Sequence, residues 1–365
     1  MKKLKIVLLY LAFAVIGGIG GYLLGPMLDD VHFGLWEIIV VVLSLVISFL
    51  LHIAIHEAGH GLFGWLSGYK MVSYRILSYL WIWQPDGRIQ FRRFSVPGTL
   101  GQCLMAPPPY RQGQFPYKRY LFGGVLANII ASLVIGLTLG FRWLPAAVFA
   151  LVGILVALPN IIPAGFNDGM SIKVASSSEE QTYLFYIQIA VNYQLMMGHT
   201  FKELPDEFFQ AVPEIPERTY FNTSQSFLIV GRALELHDWP RFSAELEKLW
   251  QMREDLIVIY QIELKKELLF CLCLLSPEDE RIAELWQDKQ VRASLKQTGM
   301  ANKRIEAMYA YAVEHDNDRA QRLLAEGRAL LPKAPNPGDG MIEFGVNDWL
   351  AERMRDGAWT AHNTL

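Results

Sequence analysis

Residues 51–65 read LHIAIHEAGHGLFGW, and they close an apolar run that starts at Leu35 and contains no Lys or Arg. His56 and His60 are four positions apart, one turn of helix, so they share a face, and Glu57 sits beside them. An ionisable side chain within a membrane-spanning helix costs about 2.5–3.5 kcal/mol on insertion scales, so such residues usually face protein or water and carry function. The pattern His56-Glu57-Ala58-Gly59-His60 suits two zinc ligands and a general base: imidazoles hold the ion and the carboxylate takes a proton from water. His52, one turn earlier, extends the same line. Three histidines in one helical row cannot easily all reach one tetrahedral ion. His52 therefore reads as a buried, hydrogen-bonded support, with ligation as the alternative.

The whole chain agrees with a membrane setting. Of its 365 residues 52% are hydrophobic, more than a soluble protein of this size carries. Residues 1–169 hold twelve Lys and Arg against six Asp and Glu, whereas 170–365 hold 21 against 30, which implies two regions with different solvents. Four stretches, about 4–25, 35–66, 119–141 and 143–165, are long enough to cross a hydrocarbon core of roughly 20 residues. The first could instead serve as a signal peptide, although it lacks a convincing cleavage site. Basic residues favour the cytoplasmic side. Lys2, Lys3 and Lys5 place the N-terminus inside, and the loop with Asp29 and Asp30 falls outside. The stretch 67–119, with eight basic residues against Asp86 alone, returns inside, and the pair of spans around Arg142 leaves the C-terminus cytoplasmic.

A catalytic zinc wants a third protein ligand and one open position. This topology brings the end of the last span, LPNIIPAGFNDGM (158–170), to the same cytoplasmic side as His56 and His60. Pro163 interrupts the helix and Gly165 and Gly169 let the chain turn, so Asp168 is the candidate third ligand; the alternative is a simple Asp-Gly turn. Together these residues resemble the site-2 protease-like intramembrane zinc metallopeptidases, which carry H-E-x-x-H on one span and N-x-x-P-x-x-x-x-D-G on another, here Asn160, Pro163, Asp168 and Gly169. The resemblance covers roughly residues 35–170. It implies that His56, His60 and Asp168 bind Zn2+ and that Glu57 is the base. It also implies that Asn160 and Asn128 stabilise an oxyanion or position the substrate backbone, Asn128 by likeness to a G-P-x-x-N element that reads Gly124-Val125-x-x-Asn128 here. Val125 replaces the usual proline and Asn167 the usual leucine or proline. An interhelical hydrogen bond is the other reading of Asn128.

Between the spans, ILSYLWIWQPDGRIQFRRF (76–94) reads as a β-hairpin turning at Pro85-Asp86-Gly87. Its edge could hold an unwound substrate, as a small β element beside the active site does in related proteases, or it could rest on the membrane surface through Trp81, Trp83, Arg92 and Arg93. CLMAPPPYRQGQFP (103–116) reads as a nonhelical connector. Residues 182–198 are apolar, but Gln188 and Asn192 favour a surface amphipathic helix over a fifth span. Further on, stripes such as Ala320, Leu323, Leu324, Gly327, Leu330 and Leu331 predict paired helices resembling a tetratricopeptide-like array. Cys103, Cys271 and Cys273 lack metal-ligand spacing and read as core.

The expected fold is mainly α: a polytopic transmembrane helical zinc-protease core with a small membrane-associated β-hairpin, then a soluble all-α domain. Its parts are an N-terminal helix and outer loop (1–34), the core (35–169), a connector (170–222) and a cytoplasmic helical domain (223–365). With nine net negative charges and no basic stripe, the region 170–365 argues against nucleic acid as a partner. Transmembrane or leader-type peptides, the lipid bilayer and a protein docked on the helical domain are the expected partners. The alternatives are an inactive binding or chaperone-like protein that kept the metal site, and a prenyl-protein-processing type of peptidase with a glutamate as third ligand.

Overall fold

The structure, a computed structural model, describes residues 34–84, 86–94, 99–140, 142–210 and 219–355, together with 14–15, 17–18, 21–22 and 25. Apart from those few positions, the expected span over 4–25 lies outside the described residues, as do Lys2, Lys3, Lys5, Asp29, Asp30 and the turn residue Pro85. The fold is mostly helical with one small antiparallel sheet, and the chain divides into two compact units, Met1–Tyr183 and Leu184–Leu365.

In the first unit three described helices are long and apolar enough to cross a membrane: α1 (Leu35–Trp65), α2 (Tyr117–Ile135, continued by a π-helical turn to Gly140) and α3 (Leu144–Ile161). They match the expected spans over 35–66, 119–141 and 143–165, except that α3 stops four residues short. Ile162 is already extended (φ −77°, ψ 122°), because a residue preceding proline is pushed out of the helical region, and Pro163 follows. Helix α1 exposes apolar side chains along its first half and buries His52, Ile53, His56, Gly59 and His60 in its second. There it meets α2 backbone to backbone: a Cβ at Gly123 would lie 2.6 Å from the Gly59 carbonyl oxygen. Small residues of this kind let apolar helices approach closely where water offers no hydrophobic drive.

The expected hairpin forms, with β2 (Tyr79–Trp83) paired to β3 (Ile89–Arg93) in the register Trp83↔Ile89 and Tyr79↔Arg93. It is half of a four-stranded sheet of order β3-β2-β1-β4, completed by β1 (Lys70–Ile76) and β4 (Gly101–Ala106). The start of the stretch read as a connector, CLMA, is therefore strand. Its partner lies some thirty residues earlier, and a non-local pairing of that kind leaves no turn signal between the two strands. The Tyr74 hydroxyl donates to the Ala54 carbonyl (2.6 Å) and fixes the sheet against α1. After α3 come the short helix α4 (Asp168–Ala175) and α5 (Glu179–Met196), which covers all but the last two residues of the 182–198 stretch and is not among the membrane-length apolar helices. Its buried residues include Leu184, Phe185, Ile187, Ile189, Ala190 and Val191, which fall on several faces, so it is packed rather than one-sided.

The second unit has only helices as regular elements among its described residues: most of α5, then α6 (Tyr220–Glu235), α7 (Trp239–Gln251), α8 (Val258–Leu275), α9 (Arg281–Gln287), α10 (Lys289–Leu295), α11 (Met300–Ala312), α12 (Asn317–Ala329) and α13 (Pro337–Arg355). The striped residues Ala320, Leu323 and Leu324 enter one core with Phe242, Leu268, Phe270, Met308 and Leu350. Arg304 is fully buried there, and it donates to Glu267 on α8 and Glu343 on α13, which ties three helices together. All three cysteines are free and buried, as their spacing suggested.

Candidate metal centre

His56 and His60 leave α1 on the face turned to α2, and their rings meet edge to face with centroids 4.8 Å apart. His60 Nδ1 lies 2.8 Å from the Tyr120 carbonyl oxygen, which can only accept, so Nδ1 carries the proton and Nε2 keeps its lone pair. Asp168 arrives through a separate device. Asn167 caps α4, its Oδ1 accepting from the Met170 amide (2.8 Å), while its Nδ2 donates to the Ile162 carbonyl (2.6 Å) and to that of Pro159, freed where α3 ends. The first residue of the capped helix is Asp168.

Three donor atoms thus converge. Asp168 Oδ2 lies 3.1 Å from His56 Nε2 and 3.3 Å from His60 Nε2, and the two Nε2 atoms are 3.1 Å apart. Tetrahedral coordination at the usual zinc–ligand distances separates neighbouring donors by roughly 3.3 Å, so this triangle could hold such an ion without rearrangement. Gly124 on α2 keeps one side of it clear: a Cβ there would stand 2.6 Å from His56 Nε2 and 2.7 Å from His60 Nε2.

Glu57 lies beside this group against strand β4, where a Cβ at Gly101 would approach its Oε1 to 2.6 Å. It is within electrostatic reach of His60, His56, Asp168 and Arg75. Arg75, a buried side chain the sequence reading did not single out, donates to the carbonyls of Leu77 (2.7 Å) and Gly101 (3.2 Å) and to Thr99, and so fixes the segment that carries Gly101. An arginine in a strand is an ordinary surface residue by sequence, and nothing marked this one as buried. Asn167 was noted only as a departure from a pattern, yet an Asn before Asp-Gly is also a capping signal.

The remaining predicted residues fall outside the triangle. Asn128 is buried behind His56, its amide between His52 and His56. His52 bonds Asn128 and the Phe149 carbonyl and is not among the three groups that could hold a metal ion. The Asn160 amide donates to the Val156 carbonyl one turn back in its own helix (3.0 Å). Comparison with protein families, with curated proteins and with solved structures finds no match for this chain.

Proposed function

We propose that this chain is an intramembrane zinc endopeptidase of the site-2 protease-like kind, cutting membrane-embedded or leader-type peptides near the cytoplasmic face. The observation that carries the reading is the triangle of His56, His60 and Asp168 with the carboxylate of Glu57 beside it, built where α1 is apolar enough to lie in a bilayer. Two histidines and one carboxylate form a donor set of the catalytic zinc type, which leaves a fourth position for water. An aspartate in the third place supports this reading over a peptidase that uses a glutamate there.

The ion would supply a Lewis acid, acidifying water and polarising the scissile carbonyl. Glu57 accepts the proton of the attacking water and later delivers it to the leaving amine. Strand β4 has no strand partner on its outer edge among the described residues, and it passes beside Glu57. An extended substrate backbone added there would present its peptide bonds outside a helix, where they can be attacked. Three apolar helices support a multi-pass membrane location, and the basic residues of 67–119 support placing this end, and both termini, in the cytoplasm. The acidic helical unit suits a role in receiving protein partners or substrates.

The test is capture and cleavage in the same cells. A Glu57→Gln chain should retain bound substrate that the wild type releases as two fragments. If proteins held by Glu57→Gln are left uncut by the wild type, the endopeptidase reading fails and a binding role takes its place.

A further inference from the structure

His52 and Asn128 each have 0% exposure, and both lie behind a metal ligand rather than at the metal position. Their hydrogen bonds have one consistent solution. His52 Nε2 is 3.0 Å from the Phe149 carbonyl oxygen, an obligate acceptor, so the His52 proton sits on Nε2 and its Nδ1 is an acceptor. Asn128 faces that Nδ1 at 3.1 Å with Oδ1, and its Nδ2 faces His56 Nδ1 at 3.3 Å. Two acceptors would then oppose each other across 3.1 Å. A doubly protonated His52 would remove the conflict only by burying a cation to which no carboxylate is bonded, which is costly. A half-turn of the carboxamide, whose oxygen and nitrogen have nearly the same shape, removes it at no cost. Asn128 then donates to His52 Nδ1, and its Oδ1 accepts from His56 Nδ1.

We infer that His52 and Asn128 are positioning residues that fix His56 as its Nδ1-protonated form, aiming an unprotonated Nε2 at the metal. The relay runs from the Phe149 carbonyl on α3 through His52 on α1 and Asn128 on α2 to His56 on α1, so all three described spanning helices contribute. It completes for His56 what the Tyr120 carbonyl does for His60. With both Nε2 atoms unprotonated, the contacts of 3.1 Å between the imidazoles and 3.1 and 3.3 Å to Asp168 contain no hydrogen to bridge them, and a cation between them is what makes the arrangement favourable. Gly153 on α3 leaves the room for the His52 ring, since a Cβ there would collide with the His52 Cε1 and Nε2. In sequence, the signal is His52 one turn before H-E-x-x-H, paired with a small residue on the neighbouring span.

The inference rests on the metal reading, and zinc affinity of the full-length chain in detergent, measured by chelator competition, separates the two. Asn128→Leu keeps the shape but neither hydrogen bond, and should weaken zinc binding roughly 10- to 100-fold, the usual effect of losing a ligand's supporting partner. Asn128→Asp keeps an acceptor for His56 Nδ1 and should restore affinity to within a few-fold of wild type. His52→Phe should weaken it less, and should add nothing once Asn128 is already Leu, because the relay acts on the metal only through Asn128. At saturating Co2+ all these variants should keep the wild-type ligand-field absorption, since the three donors are unchanged. Should Asn128→Leu fail to fold, His52→Phe and Asn128→Asp give the same reading: a loss in the first and retention in the second. Wild-type chain without stoichiometric zinc overturns the metal reading and this inference together. Wild-type zinc binding with unchanged affinity in Asn128→Leu, or in His52→Phe, overturns the relay alone, as does an equal loss for Asn128→Asp and Asn128→Leu.

Discussion

Replacing Gly124 with alanine adds one methyl group against both histidines of the candidate metal site. The new Cβ would lie 2.6 Å from His56 Nε2 and Cε1 and 2.7 Å from His60 Nε2, whereas ordinary contact begins at 3.4 Å. Something must therefore open by about 0.8 Å, the difference between 3.4 and 2.6 Å. The methyl is fixed to the backbone of α2, and moving α2 away from α1 would give up their backbone-to-backbone packing at Gly59 and Gly123. The imidazoles must yield, by several times the roughly 0.2 Å that metal–ligand distances tolerate. Gly124→Ala should thus lose zinc affinity by at least about 100-fold, while general overpacking costs about 1–3 kcal/mol of stability. Chelator competition reads the first and thermal unfolding in detergent the second. A well-folded Gly124→Ala chain that binds zinc as tightly as the wild type would refute the placement of the ion between these nitrogens.

Metal analysis of purified chains should find about one zinc in the wild type and in Glu57→Gln, and almost none in His56→Ala, His60→Ala or Asp168→Ala, because losing one of three ligands leaves an incomplete tetrahedron; full zinc in Asp168→Ala would remove Asp168 from the ligand set. Reporter fusions after Gln90 and after Leu365 should both read cytoplasmic, and an external reading at Gln90 would invert the orientation taken from the basic residues. Asp339, at the start of α13, is raised to about 6, mainly by burial, with the Glu343 charge adding and the Asn336 hydrogen bond opposing. Its folded value lies above the unfolded one, so its contribution to stability is complete below pH of about 4 and is lost as pH rises through about 6, a change on the order of 2–3 kcal/mol. Asp339→Asn should therefore melt higher than the wild type at pH 7.5 and nearly level with it at pH 3.5; an equal difference at both would contradict the assignment.

What the sequence made legible followed from local rules. Apolar length marked α1, α2 and α3, and helical spacing put His56 and His60 on one face. Pro163 announced that the last span would stop, and the chain did turn back far enough for Asp168 to meet the two histidines. The hairpin of β2 and β3 had a turn signal, whereas β1 pairing with β4 depends on residues far apart in the chain. Arg75 and Arg304 were illegible for a related reason: each is buried because its partners come from other segments, Gly101 for the first, Glu267 and Glu343 for the second. In the helical unit the clean repeat was missing, but a shared turn is present. His237 and His315 both adopt φ of +55°, and each is followed by an aspartate, Asp238 or Asp316, that caps the next helix. Histidine tolerates that conformation better than branched residues do, and aspartate caps by accepting from the first-turn amides. Read as a helix-turn signal, the recurring His-Asp pair marks two of the hairpins that hydrophobic spacing alone left indistinct.

Hydrolysis by Glu57→Gln, compared with the wild type at equal zinc content, tests the account most directly. Both proteins would be incubated in detergent with a library of apolar peptides, and the products followed by mass spectrometry. The wild type should cut internal peptide bonds, and Glu57→Gln should do so at least about 100-fold more slowly, since only the proton acceptor has been removed and the metal remains. Equal rates in the two proteins, or a zinc-loaded wild type that cuts no peptide at all, would contradict it.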